Sequence, residues 1–335
     1  MKKTILVLSP IGAQMIRDAK MADYVPKIFS DFVFTPMPAV TEGIDFYSAQ
    51  ISLFKAANKT GYGYYSSQRY LDQLPKILQQ IGNSRKIELW VEPSLNSHIH
   101  SFHLLTLLEG IPSIDDKLFI NHTSEMVGLM NSEMLVKSNE QHRVAVTNEF
   151  FKEANLYWNA FCSSTPEKWV KLLNEPSKCF PLFNQIKKRF TLQLPLEPNG
   201  LRLVDRQILK HVRQGLKKSV YVLGHILANQ ADDFRILTEG AIWDAIFALA
   251  AAPNPAITGL PLVPFDYYSS SNSNRNSRKE CFDSEPRLTA NGEGLLNGVG
   301  NWIDDNEVSY WWGGSLITNS TFWSFDPVSE TLKEP

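Results

Sequence analysis

Short apolar runs alternate with amphipathic stretches over the first 125 residues of the chain. The apolar runs predict four strands, at residues 4–8, 30–34, 86–92 and 117–121. Helical patterns fill the intervals, at residues 12–19, 45–57, 67–81 and 97–108. Short strands separated by helices are typical of a mostly parallel sheet with helices on both faces. Residues 1–146 are therefore interpreted as an α/β domain.

From about residue 147 the apolar positions recur at helical spacing. Phe151, Ala154 and Trp158 predict a helix that follows Asn148. A further helical pattern covers residues 180–194. Residues 147–197 are interpreted as a helical connector, which ends at a proline- and glycine-containing boundary.

The remaining segment, residues 198–335, is predicted to be a winged-helix-like domain with an aromatic tail. Three helical patterns, at residues 204–214, 220–228 and 240–252, precede strand-like segments at 260–263 and 287–289. Three short helices followed by a hairpin are typical of a winged helix-turn-helix. Residues 269–280 read SSSNSNRNSRKE, which is nearly free of apolar residues and predicts a mobile loop at the hairpin tip.

Composition narrows the classes of function without choosing one. The 335 residues carry a formal net charge of −2, so no global positive field attracts nucleic acid or anionic membranes. The three cysteines show no C-x-x-C spacing, which argues against a disulfide framework or a zinc ribbon. The apolar run at residues 5–8 is too short for a secretory signal, and no stretch reaches membrane-span length. We expect a cytoplasmic protein without a cofactor, a bound metal or a membrane partner.

Several motifs in this order resemble a family of bacterial proteins. The N-terminal part contains IELWVEPSLNSHIHSFHLL followed by FINHTSE; the C-terminal part contains EFFKEANLYWNAF, NGLRLVDRQIL, LTANGEGLLNG and YWWGGSL. Together they resemble proteins grouped under domain of unknown function 1835, over nearly the whole chain. The resemblance implies an α/β N-terminal domain and a helical C-terminal part that has been likened to sigma-70-type factors. It implies no particular activity.

The chain departs from that family at charged positions. Ser9-Pro10 stands where the family carries glycine and aspartate after the first strand, and Thr35-Pro36 replaces an acidic residue after the second. Gln50 lies where an arginine is common. Glu92 is kept, but Ser94 and His98 occupy the positions of a following aspartate and glutamine. These losses weaken the case for catalysis by such a charged cluster.

The predicted carboxyl edge of the sheet is nevertheless where a ligand would bind. Glu92 and His98 are the candidate catalytic pair, since a carboxylate beside a histidine can perform acid–base chemistry. The helical zinc spacing H-E-x-x-H is absent, and the favoured interpretation of this stretch is the start of a helix. The candidate ligand-binding residues at the same edge are Ser9, Ser94, His100 and Thr123.

Basic residues on the first helix of the winged-helix pattern suggest contacts with phosphates. Arg206, Lys210 and Arg213 recur at spacings of four and three, and Lys217 extends the stripe. The third helix, GAIWDAIFALAAA, lacks the arginine, lysine, asparagine or glutamine that reads base edges. The stripe is therefore interpreted either as a solvated basic face on a winged-helix fold with a structural role or as a surface for weak contact with a nucleic-acid backbone or RNA. Sequence-specific readout of a duplex by the third helix is not expected.

The leading hypothesis is a non-enzymatic cytoplasmic binding or regulatory protein. It would contact a protein partner, or weakly a nucleic acid, through the winged-helix-like region. The alternative is an enzyme or small-molecule sensor with its site at the carboxyl strand edge of the α/β domain. The two hypotheses are separated by whether Glu92, His98 and their neighbours converge on one accessible cleft.

Overall fold

The computed structural model describes residues 2–28, 32–38, 45–56, 62–232, 234–263 and 271–335. The chain forms two compact units. The first comprises Met1–Ile186 with Gly313–Ser315, and the second comprises Lys187–Trp312 with Leu316–Pro335. The division falls inside the predicted connector of residues 147–197, because the helices before residue 187 pack with the first unit. It therefore differs from the predicted boundaries after residues 146 and 197.

The first unit begins with an alternation of strands and helices. Its elements are β1 (Lys3–Val7), α1 (Pro10–Asp18), α2 (Asp45–Ala56), α3 (Tyr62–Gly82), β2 (Lys86–Val91), α4 (Leu95–Leu108), β3 (Leu118–His122), α5 (Ser132–Gln141), β4 (Arg143–Ala145), α6 (Asn148–Phe161) and α7 (Glu167–Lys171). A short 3-10 helix covers Val127–Leu129. Helix α8 (Phe183–Thr191) spans the division between the units.

Four strands form one sheet in the order β1-β2-β3-β4. Strands β1, β2 and β3 are parallel, and β4 pairs antiparallel with β3. A mixed α/β unit with a mostly parallel sheet is thus confirmed. The predicted strand at residues 30–34 is wrong in its described part, since residue 32 has no regular structure and residues 33 and 34 form a turn, while residues 30 and 31 lie outside the described residues.

Alternation along the strands explains how the sheet is covered. Ile5 and Val7 of β1 share one face with Trp90 of β2, and all three pack with Ala13 of α1 and Val127 of the 3-10 helix. The intervening residues, such as Leu6 and Leu89, are also fully buried. A strand buried on both sides requires apolar residues at successive positions, which is what the short apolar runs supply.

The second unit contains a helical part and several short strand pairs. Its further elements are α9 (Leu203–Arg213), α10 (Ser219–Asp232), α11 (Glu239–Ala251), β5 (Ile257–Thr258), α12 (Asn272–Asp283), β6 (Arg287–Leu288), α13 (Ala290–Leu296), α14 (Trp302–Asp305), β7 (Ser309–Trp312), β8 (Ser315–Thr318), β9 (Ser324–Asp326) and β10 (Thr331–Lys333). Strands β5 and β6 pair antiparallel, as do β9 and β10.

The polar insert between β5 and β6 differs from its prediction. Residues 272–283 form helix α12 rather than a mobile loop, and Ser271 caps it by accepting from the Asn274 N–H. Cys281 is fully buried at its C-terminal end. The first two turns lack apolar residues, so hydrophobic periodicity could not reveal the helix. The earlier predicted strand, residues 260–263, is also not a strand; β5 lies at Ile257–Thr258.

No helix in the described part of the chain is long and apolar enough to cross a membrane.

Candidate functional site

Ser9, two residues after the end of β1, caps helix α1. Ser9 Oγ accepts a hydrogen bond of 2.9 Å from the Gly12 N–H, and Pro10 occupies the first helical position. This is the preferred chemistry of a helix N-terminus, where a side-chain oxygen satisfies a free N–H and proline loses nothing. Ser9 was a candidate ligand-binding residue, but its hydroxyl is engaged in starting α1.

Glu92, the candidate catalytic carboxylate, is 1% exposed. Its Oε1 accepts a hydrogen bond of 2.7 Å from the Val127 N–H, at the first residue of the 3-10 helix. The Glu92 N–H donates to Ser97 Oγ over 2.9 Å. A carboxylate at a helix start satisfies a backbone donor that would otherwise be unpaired. Glu92 therefore ties the loop after β3 to the end of β2.

Ser94 and Thr123 form hydrogen bonds within the loops that follow β2 and β3. Ser94 Oγ accepts from the Ser97 N–H over 3.2 Å and caps α4. Thr123 Oγ1 donates to the Glu125 carbonyl at 2.8 Å and lies 3.3 Å from the Val91 carbonyl. Both residues are buried. At the strand edge predicted to bind a ligand, the Ser94 and Thr123 side chains are thus engaged in hydrogen bonds within the protein.

His98 is fully buried on α4, in surroundings different from those of Glu92. Its Nδ1 lies 2.9 Å from the Ser94 carbonyl, and its ring stacks on Phe183 with 5.4 Å between centroids. The ring also meets the edge of Phe102. Burial lowers the pKa of His98 to about 3, so the imidazole is neutral at pH 7. A ring enclosed by phenylalanines is poorly placed to exchange protons with a substrate.

The other two histidines of α4 are also packed among aromatic rings. His100 stacks on Phe32 with centroids 4.0 Å apart, and His103 lies 4.4 Å from the Trp158 ring. Burial lowers the pKa of His103 to about 3, and the neighbouring His100 adds to that effect. Among the described residues, no group of three or more histidine, cysteine, aspartate or glutamate side chains is arranged to hold a metal ion. The histidine-rich stretch contributes to the core.

The first residue of the predicted basic stripe is also structural. The Arg206 guanidinium donates to the carbonyls of Leu196 and Glu197, at 3.2 and 3.0 Å, and to Asn199 Oδ1 at 3.0 Å. These three bonds hold the turn that leads into α9. Arg206 is half-buried and is oriented by that turn, so it does not extend an open phosphate-binding surface.

The other three members of the stripe are exposed. Lys210, Arg213 and Lys217 lie at the C-terminal half of α9 and in the turn before α10. The buried face of α9 is formed by Val204, Asp205, Ile208, Leu209 and Val212. The structure thus brings Arg213 and Lys217 together at the end of α9.

An open groove of about 410 Å³ lies at this end of α9. Arg213, Lys217 and Arg287 line it, together with the carboxylates of Glu285 and Glu293. Arg213 lies 3.9 Å from Glu293, and Arg287 lies 3.4 Å from Glu285. Exposed ion pairs of this kind are weak, typically below ~1 kcal/mol, so a phosphate can displace the carboxylates.

A second open groove, of about 340 Å³, lies in the first unit. Glu109 and Asp115 contribute its charges, and Phe151 and Ile114 contribute apolar surface. It is acidic and lacks a histidine, cysteine or basic side chain among its lining residues. The two carboxylates disfavour a phosphate in this groove, because no cation among the lining residues offsets their charge.

The aromatic tail contributes to packing inside the second unit. Trp312 stacks on Phe190 at 4.3 Å with the rings nearly parallel, and its Nε1 donates to the Phe190 carbonyl. The Tyr310 hydroxyl donates to the Gln193 carbonyl, and the Arg202 guanidinium lies 4.6 Å above the Tyr310 ring. Trp312 and Tyr310 are therefore held by packing and hydrogen bonds within the second unit.

Two features were not found by sequence reasoning. Glu88 is fully buried in β2 and binds Lys86 at 2.8 Å and Lys3 at 3.1 Å. Its burial acts to raise its pKa, but the hydrogen bond and charge of Lys86 and of Lys3 outweigh this and leave the pKa below its ordinary value. Arg287 was read only as part of a strand, whereas it lines the groove. A single arginine that follows a proline forms no sequence pattern from which its position in a groove could be predicted.

No protein-family model matches the chain, and a search of curated proteins finds no significant match. The resemblance to domain of unknown function 1835 therefore stays a prediction.

Proposed function

We propose that this chain is a non-enzymatic binding protein whose second unit contacts the phosphate backbone of nucleic acids. The observation that carries the proposal is the open groove where Arg213, Lys217 and Arg287 meet at the end of α9. Arg213 and Lys217 lie four residues apart at the end of α9, Arg287 lies on β6, and all three side chains are exposed. Lys210 lies one turn before Arg213 on α9 and adds a fourth.

The order of elements supports a winged-helix-like arrangement for this region. Helices α9, α10 and α11 contact one another, and strands β5 and β6 pair with Ile257 opposite Leu288 and Thr258 opposite Arg287. Helix α11 buries Ile242, Trp243 and Ile246, so its role is packing. In this proposal backbone contacts come from the end of α9 and from β6, in place of readout by the third helix.

Weak and salt-sensitive affinity follows from the charges in the groove. Glu285 and Glu293 compete with phosphates for Arg287 and Arg213. With about three phosphates contacted, affinity should fall roughly 40-fold between 50 and 200 mM monovalent salt. The non-specific character of such contacts makes random-sequence DNA an adequate probe.

The test is a fluorescence-anisotropy titration of the full chain against labelled random-sequence duplex DNA at the two salt concentrations. The variant Lys210→Ala with Lys217→Ala should weaken binding and lower the salt slope by about two. The matched control, Lys168→Ala with Lys171→Ala on α7, changes the net charge equally and should bind like the unmodified chain. Absence of binding at 50 mM salt, or equal loss in both variants, would refute the proposal.

The alternative of an enzyme or sensor at the strand edge gains no support from the geometry. Glu92 binds the Val127 N–H, and the His98 ring is enclosed by Phe183 and Phe102. Ser94, Thr123 and Glu92 at that edge form hydrogen bonds with backbone groups of neighbouring loops.

A further inference from the structure

Helix α12 carries a stripe of hydrogen-bond donors on an exposed face. Asn272, Arg275, Asn276 and Lys279 occupy positions i, i+3, i+4 and i+7, which lie on one side of a helix. All four side chains are exposed, whereas Asn274, Ser277, Arg278 and Cys281 are less exposed or buried. The helix thus has an inner face and an outer face even though its first eight residues include none that is apolar.

The C-terminal end of α12 is fixed to the rest of the second unit. Cys281 is fully buried, and the Phe282 ring packs 5.4 Å from Trp243 of α11. Lys218 and Asp283 form an ion pair of 2.7 Å, and the Ser219 hydroxyl donates to the Cys281 carbonyl. Because the C-terminal turn of α12 is anchored, the two polar turns before it have a fixed orientation. The donor stripe on these turns is exposed to solvent.

The positive charge of the stripe favours a nucleic acid as its binding partner. The stripe carries two positive charges, Arg275 and Lys279; Arg278 on the less exposed face adds a third, and the exposed carboxylate of Glu280 follows Lys279 directly. Arginine and lysine are the side chains that bind guanine edges, and asparagine binds adenine in a bidentate manner. A helix fits the major groove of B-form DNA, about 12 Å wide, whereas the major groove of duplex RNA is too narrow for side-chain readout.

We propose that α12 enters the major groove of double-stranded DNA and that Asn272, Arg275, Asn276 and Lys279 contact base edges. This inference rests on the proposed function, because the groove at the end of α9 supplies the backbone contacts that position the duplex. Glu285 and Arg287 of that groove follow α12 directly in the chain. Four residues spanning about 10 Å along the helix cover about three base pairs.

The test is a selection of binding sites from duplexes with a randomised core, using the full chain at 50 mM salt. We expect enrichment of a motif of three to four base pairs. The variant Asn272→Ala with Asn276→Ala keeps the charge and should weaken binding to the enriched site by about fivefold or more per asparagine. Its affinity for random duplexes should stay unchanged. The control Ser273→Ala, on the same helix but off the stripe, should leave both affinities unchanged.

The outcomes separate this inference from the proposed function. Salt-sensitive binding without an enriched motif would overturn the role of α12 and leave the backbone-contact proposal standing. An enriched motif bound equally well by the double-asparagine variant would do the same, as would preference for single-stranded RNA. Lack of any duplex binding at 50 mM salt would overturn both. Circular dichroism of each variant verifies that α12 substitutions leave the fold intact.

Discussion

Helices α4 and α12 show opposite relations between polar sequence and exposure. Helix α4 carries three histidines and two serines, yet all of them are buried. Helix α12 carries asparagine, serine, arginine and lysine, and Cys281 is its one buried residue. The residues of α4 look chemically active in sequence but stabilise the core, whereas those of α12 look like a loop but form an ordered exposed surface. Accessibility, more than residue type, distinguishes the two.

The largest expected effect concerns acid sensitivity of the buried histidines. His98 and His103 have pKa values of about 3 in the folded chain, because burial disfavours their charged form, against 6.5 when unfolded. Below pH 6.5 the unfolded chain binds protons that the folded chain does not. The free energy of unfolding is therefore highest above pH 6.5, where both states carry neutral histidines, and it decreases as the pH falls toward 3. At pH 5 the loss is about 2 kcal/mol per histidine.

Urea unfolding at pH 7 and pH 5 measures that loss. His103→Phe should remove about a third of the pH dependence, because burial lowers the pKa of His98 to about 3 and of His122 to about 4 in addition to that of His103. A pH dependence equal in the His103→Phe variant and the unmodified chain would show that burial of this ring does not control acid stability.

The next effect is a difference in unfolding free energy between alanine variants of two basic residues on α9. Arg206→Ala removes three hydrogen bonds to the turn of residues 196–199 and should cost about 2 kcal/mol of unfolding free energy. Lys210→Ala, at an exposed position one turn later, should change it by less than about 0.5 kcal/mol. Chemical denaturation of both variants measures the difference. Equal costs would contradict the structural role of Arg206.

Glu293→Gln should strengthen binding of random-sequence duplex DNA. The substitution removes the carboxylate that lies 3.9 Å from Arg213, and an exposed pair is worth about 0.2–1 kcal/mol. The dissociation constant at 50 mM salt should therefore fall about 1.4-fold to fivefold in an anisotropy titration. Glu149→Gln, which breaks the exposed Lys152 pair on α6, is the matched control and should have no effect. An equal gain in both variants would point to net charge instead of the groove.

The smallest expected effect is on the stability of α12. Asn272→Ala with Asn276→Ala should change the free energy of unfolding by less than about 0.5 kcal/mol, because both side chains are exposed and alanine is the better helix former. Cys281→Asp on the same helix should cost several kcal/mol by burying a charge. Thermal unfolding compares the two. A large loss in the asparagine variant would assign the stripe to folding.

Hydrophobic periodicity predicted most of the first unit. The predicted helix at residues 45–57 is observed at Asp45–Ala56, and the predicted strand at 86–92 is observed at Lys86–Val91. Both have enough apolar residues to reveal their period. Helix α12 has none in its first two turns, because its outer face meets water and its inner face is polar as well. Its helical state depends on the Ser271 cap and on the anchors at Cys281 and Asp283.

The candidate sites were harder to predict than the elements. The spacing of Arg206, Lys210 and Arg213 placed them on one helix, but could not show that Arg206 turns toward the Leu196 and Glu197 carbonyls. Those bonds depend on a turn that reverses the chain before α9. Likewise the glutamate and histidines of the β2–α4 stretch were located correctly along the chain, while their burial depends on Phe32, Trp158 and Phe183, which are distant in sequence.

Photo-cross-linking of the full chain to a bromouracil-substituted duplex, followed by mass spectrometry of the linked peptides, tests the central contrast most directly. We predict links within residues 210–217 and 272–288, with the peptide covering residues 95–108 unlinked. Links confined to the first unit, or none above the level of a high-salt control, would contradict the assignment of DNA contact to the exposed helix and its neighbouring groove.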